Sequence, residues 1–312
     1  MTPPRLVLVL SENHTLVGAR DLDGLVDVAV EAERAGFDGV MVSEHVVLGR
    51  GADAGGLPAN PREYALPANQ DPATPWPSSL LLLAAIASVT TDLRLIGSAV
   101  IPPLRHPLLI AKELATLDLL AKGRLVVQPT VSWHRAEYAA LGVPFETRGE
   151  RLDEHLEIWA SIWRSDGPVR HRGTHYSFDD VWVRPEPWRA DGPRLWFGGE
   201  RLHGPLLRRL VEHGHGFNPL GRPSDDDLAR LGAAMSDAGR DLGSLEMIGG
   251  TRGIFSDATR PAPLESALDQ IPEQLARGFG TICVKPSQFT DDPATIPHLL
   301  RRIVAGVADR CP

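Results

Sequence analysis

Ala35-Gly36-Phe37-Asp38-Gly39-Val40-Met41-Val42-Ser43-Glu44-His45 holds one complete helix-to-strand step. Upstream of it, Leu22, Leu25, Val26, Ala29 and Val30 recur at helical spacing. Asp21 is available as their N-cap, and Gly36 stops the helix. Val40-Met41-Val42 is then a short apolar run without alternation, as expected of a parallel strand covered on both faces. The polar Ser43-Glu44-His45 follow at its carboxyl end. The step has an echo in Arg277-Gly278-Phe279-Gly280-Thr281-Ile282, where a helix-stopping glycine again feeds a strand at once.

Outward from this step the same alternation repeats. Strands are predicted at Arg5 to Leu10, Leu93–Gly97, Arg124–Val127, Leu195–Phe197, Gly216–Asn218, Glu246–Ile248 and Thr281–Val284. Helices are predicted at Ser78–Ser88, Leu108–Leu120, Glu150–Trp163, Pro205–His213, Asp225–Ala238, Leu264–Arg277 and Ile296–Ala308. Eight strand–helix units predict a (β/α)8 TIM barrel, read as one domain over residues 1–312. Insertions are expected after strands 2 and 4. The first is Leu48 to Pro77; the second, Arg164 to Arg194, carries Tyr176, Phe178, Val181 and Val183 in near alternation and should fold as a hairpin. A doubly wound open sheet is the alternative. It would want a glycine-rich loop after its first strand, where Ser11-Glu12-Asn13-His14 stands instead.

Composition narrows the functions. The chain has 312 residues, 43% hydrophobic, with a formal charge of −8 and no Lys/Arg run longer than two. A phosphate backbone or an anionic membrane would be repelled. The longest strongly apolar run, Leu80 to Ala87, is far short of the roughly 20 residues that span a bilayer. With only Cys283 and Cys311, neither a disulfide framework nor a cysteine metal site is expected, which suits a cytoplasmic protein. No metal site is expected from histidine either: only His14 follows strand one, and His213-x-His215 lies on the stability face.

In a barrel the chemistry sits just after the strands. His45 follows strand two directly, and an imidazole there can take or give a proton near neutral pH. Glu44 should point to the other side of the extended chain and act by its charge. Ser98, Ala99 and Val100 end strand three with small residues that let a flat ligand approach. Strand four ends in Thr130, Ser132, Trp133 and His134. Strand five ends in Gly198-Gly199-Glu200-Arg201, a turn whose amides could cradle a phosphate with Arg201 as counter-charge and Glu200 facing solvent. His14 and His134 are expected further into loops and less rigidly held than His45.

These segments resemble the bacterial luciferase-like flavin/deazaflavin oxidoreductase family. The likeness runs through the quoted step and then Arg105-His106-Pro107, Ala111 to Asp118 and Gly123-Arg124-Leu125. It continues in Glu137 to Phe145, Arg148 to Glu154 and Pro193 to Gly199. The resemblance implies a barrel binding F420 or FMN at its strand ends, with the F420-using branch most similar. It implies that His45 is the active-site histidine, that Glu44 is its neighbouring acid, and that a non-proline cis peptide at Ala99–Val100 backs the ring. Gln128, Thr130 and Ser132 stand where the family usually has the glycines of Gly-x-Gly-x-Gly-Trp, while Trp133 is kept. The cofactor then meets the Thr130 and Ser132 hydroxyls, or it sits differently.

The expected function is therefore an F420-dependent oxidoreductase moving a hydride to or from a small organic substrate. His45 is the proton donor or acceptor, His14, Trp133 and His134 face the substrate, and the excursion over residues 48–77 acts as lid. The alternatives are an FMN-dependent monooxygenase of the luciferase type and a cofactor-free barrel with a binding role. A homodimer is the expected form.

Overall fold

A computed structural model describes residues 3–311. Its main sheet is a closed barrel of eight strands, the order around it being β1 (Arg5–Val9), β10 (Thr281–Val284), β9 (Glu246–Gly250), β8 (Gly216–Phe217), β7 (Arg194–Phe197), β4 (Leu125–Pro129), β3 (Arg94–Val100) and β2 (Gly39–Val42). Paired strands are parallel, with Leu6 against Ile282, Val9 against Met41 and Val127 against Leu195. This is the (β/α)8 architecture that the alternation predicts.

The chain groups into two compact units, one of residues up to Ile96 with those from Glu246 onward, the other Gly97–Leu245. In the first, α1 (Leu22–Ala35) begins on Asp21, whose carboxylate accepts from Gly24 N, and ends on Gly36 at φ 96°. α2 (Ser79–Val89) follows the long excursion after β2, and α10 (Ile296–Arg310) closes the chain. The predicted helix over 264–277 is two helices, α8 (Leu264–Leu268) and α9 (Ile271–Ala276). Pro272 is the reason, since it has no N–H to give Leu268 and its ring collides with that carbonyl. At the second position of a new helix the same proline is welcome.

In the second unit α3 (Pro107–Leu120) packs on α5 (Arg148–Trp163), whose Leu152, Leu156, Trp159 and Trp163 are buried. α6 (Gly204–His213) follows β7 and α7 (Asp225–Asp237) follows β8. The expected hairpin is present as β5 (Val169–Arg172) and β6 (Ser177–Val181), with Val183 beyond its end. A short helix, α4 (Arg135–Ala140), was not foreseen. Strand three runs on to Val100 instead of ending at Gly97, and strand four to Pro129. Among the described residues no helix is long and apolar enough to cross a membrane.

Candidate active site

In the first unit, the turn after β1 is built by its own side chains. Asn13 Nδ2 donates to Val9 O at 2.8 Å and Asn13 Oδ1 accepts from Ser287 N at 3.1 Å. Ser11 Oγ accepts from Ser43 N, joining this turn to the end of β2. Between them Glu12 is held at φ 58°, a conformation non-glycine residues rarely adopt and one that clusters at functional sites. Burial raises the Glu12 carboxyl above its usual range, against the pull of the Lys285 charge, the Ala65 amide and His45. Lys285, just past β10, is fully buried. Its ammonium donates to Glu63 O at 2.8 Å and lies 5.4 Å from the Tyr64 ring centre. Burial holds it below the usual lysine range, with Glu12 and Glu63 opposing.

His45 is half-buried, its ring meeting the edge of Trp76 at 5.2 Å between centroids. Glu44 turns away, as the strand alternation requires, and accepts from Ser79 Oγ at 2.9 Å at the start of α2. A small cavity of about 20 Å³, room for roughly one water, is lined by Glu12, His14, Ser43 and Trp76 among others. Trp76 Nε1 is buried there with no acceptor among the described residues. His14 is exposed at its edge.

The excursion after β2 is fastened at three points. Arg62, 5% exposed, forms a two-pronged ion pair with Asp291, one prong Nε to Oδ1 at 2.8 Å. Asn60 Nδ2 donates to Asp257 O and Arg260 O, both at 2.9 Å. Lys285 to Glu63 is the third. The excursion thus lies across the loops after β9 and β10.

In the second unit the ends of β3, β4 and β7 meet through polar groups. The non-proline cis peptide is Ser98–Ala99, one bond earlier than the Ala99–Val100 position the resemblance implies. Gln128 is 4% exposed, and its Oε1 accepts from Ser98 Oγ at 2.9 Å and from Asn218 Nδ2 at 2.8 Å. A side chain reaching both β3 and the residue after β8 must run along the barrel's inner face. Thr130 N donates to Val100 O at 2.8 Å. Ser132 stands at φ 55° and its hydroxyl donates to Glu137 Oε2 at 2.9 Å. The left-handed backbone natural to a glycine is kept here without the glycine. His134 is not loosely held as expected: it is buried, its N–H meets Ser132 Oγ, and its ring packs on Trp133 at 4.8 Å. A position one residue before α4 explains this, and six residues are too few for helical periodicity to register in the sequence.

Gly198 and Gly199 form the turn after β7, with Glu200 and Arg201 exposed. Neither charge has an ion-pair partner among the described residues. The α6 start is already occupied, because His203 Nδ1 accepts from Leu206 N and Pro205 has no N–H. An anion here would depend on the Gly-Gly amides and Arg201. The residues present fit a flavin-type group: a carboxamide donor on the inner face, small residues at the β3 end, and an unpaired cation beside a bare turn. Glu12, Lys285, Trp76 and Asn218 were not singled out from the sequence. Only the left-handed turn and the excursion's fold bring the first three together.

A family profile described as luciferase-like monooxygenase matches residues 5–285. The FMNH2-dependent dimethylsulfone monooxygenase of Pseudomonas putida is 29% identical over 182 residues, 57% of this chain and 44% of that protein. The chain thus spans less than half the length of this curated relative. Among solved structures, the oxygenating constituent of 3,6-diketocamphane monooxygenase from Pseudomonas putida, in complex with FMN, aligns with TM-score 0.73 at 18% identity over 99% of both chains. An F420-dependent secondary alcohol dehydrogenase with an F420–acetone adduct aligns with TM-score 0.72 at 14% identity, over 98% of this chain and 99% of the other. With a matching profile over nearly its whole length and the barrel to go with it, the chain belongs to the luciferase-like monooxygenase family.

Proposed function

We propose that this protein is an FMN-dependent monooxygenase acting on a small organic substrate, with His45 as the group that moves a proton. The observation that carries the reading is the half-buried His45 imidazole, braced by Trp76 and electrostatically coupled to the half-buried Glu12. Reduced FMN would supply two electrons that, with O2, insert one oxygen atom into the substrate and release the other as water. The chain's part is to bind, orient and handle protons. Glu12, its carboxyl raised by burial, stands beside the cavity as a further proton-handling group, and a His45 ring nitrogen exchanges a proton with the reacting substrate atom. Glu44, engaged with Ser79, supports the strand end and adds negative charge. Ser98, Ala99, Val100, Thr130 and Ser132 would line the ring, and Gly198, Gly199 and Arg201 would take the phosphate. His14, Trp133 and His134 would face the substrate.

The choice of FMN over F420 is supported by the sequence relative named for FMNH2. A second reading, hydride exchange between F420 and the substrate, is supported by the Ser43-Glu44-His45 segment and its likeness to the F420-using branch. Titrating the protein with FMN and with F420, then supplying reduced FMN with O2, decides between them. Tight FMN binding and flavin-dependent oxygenation of a thioether, sulfone or ketone panel is the expected result. Exclusive F420 binding, with anaerobic oxidation of alcohols, would select the second reading. Binding of neither would leave the barrel as a binding protein.

A further inference from the structure

The Gln128 carboxamide is half used. Its Oε1 takes both the Ser98 hydroxyl and the Asn218 amide, which fixes the plane of the group. Nε2 must then point away from both, and no acceptor meets it among the described residues. It lies 3.0 Å from where a Cβ on Gly198 would stand, at the turn after β7. The residue as a whole is 4% exposed, and a leucine would fill the same volume without an amide left to satisfy. A donor that is oriented by two neighbours and left without an acceptor is what a ligand site looks like before its ligand arrives.

We propose that Gln128 is a cofactor-holding residue, its Nε2 donating to a carbonyl oxygen or ring nitrogen of the bound flavin-type ring, with Ser98 and Asn218 as the positioning residues that aim it. This rests on the cofactor reading above, but not on the choice between FMN and F420, because both rings carry pyrimidine-type acceptors. The strand-four side chain is then a replacement contact and not an obstruction.

The test compares wild type with Gln128→Glu, Gln128→Leu and Gln128→Gly. Affinity for oxidised FMN and F420 is read from tryptophan quenching, and the position of the cofactor's long-wavelength band is recorded alongside thermal melting. Gln128→Glu still accepts from Ser98 and Asn218 but presents an oxygen where Nε2 stood. The proposal expects folded variants, with Gln128→Leu losing roughly 3–10-fold in affinity, the worth of one hydrogen bond. Gln128→Glu should lose more and shift the band. Unchanged affinity and band in both variants, or tighter binding by Gln128→Gly, overturns it while leaving the cofactor reading intact. If wild type binds neither cofactor, both fall.

Discussion

A methyl group added at Gly198 would stand 1.8 Å from the backbone oxygen of Asn218, far inside contact distance. The glycine is therefore required by close backbone approach. Gly198→Ala should destabilise the protein by about 1–3 kcal/mol, the usual cost of overpacking, read as a lower urea midpoint. It should also disturb Asn218 and, through it, Gln128. His45 belongs to the same scale. In a folded, cofactor-loaded protein, His45→Ala should lower turnover by roughly 10²–10⁴-fold, as for other positioned acids and bases, with cofactor affinity nearly unchanged. Near-normal turnover would move the proton role to Glu12 or His134. His45 stands out in the sequence as a candidate because it follows a strand directly. Glu12 does not, because its placement depends on a φ of 58° that two flanking side chains impose.

At the scale of elements, the alternation of short apolar runs with helical periodicity was enough for eight strands and their order of chain entry. What escaped it were breaks and short pieces: the interruption before Pro272, the single and a half turns of α4, and the extra residues of β3 and β4. Periodicity needs two or three turns to register, so elements near that length fall below it. The excursion over residues 48–77 was legible only as proline- and glycine-rich chain. Its fastening depends on Arg62, Asn60 and Lys285, each meeting residues some 200 positions away. Arg62→Ala should open this segment locally, leaving Asp291 without its partner. Faster amide exchange and earlier proteolytic cleavage within 48–77, with global melting lowered by only a few degrees, would show it. Equal protection in variant and wild type would make the ion pair incidental.

For the molecule as a whole, stability should depend on acid through Glu246. Burial would raise this carboxyl, but two hydrogen bonds from Arg94, at 2.7 and 2.8 Å, and one from Thr281 hold it below its usual range. A carboxyl depressed in the folded state contributes stability above its unfolded pKa, and that contribution is lost as pH falls through the folded value. Urea midpoints should thus drop below about pH 4.5, the model-peptide range for glutamate. Glu246→Gln should start less stable and show a flatter decline; a parallel decline would assign the acid sensitivity elsewhere. The barrel itself was readable from sequence because its core needs only buried strands and covering helices. The cofactor was not, since it is chosen by a handful of donors whose directions appear only once the strands are closed.

The three fastenings of the excursion have a consequence for inheritance. Residues 60, 62 and 63 find their partners in Asp257, Arg260, Lys285 and Asp291, so the two stretches form one interlocked unit written in two distant parts of the chain. Recombination between relatives that imported the excursion alone would bring the key without its lock. Chimeras carrying 48–77 together with 251–291 should remain soluble and active where single-segment exchanges fail, and substrate range in such hybrids should travel with the pair.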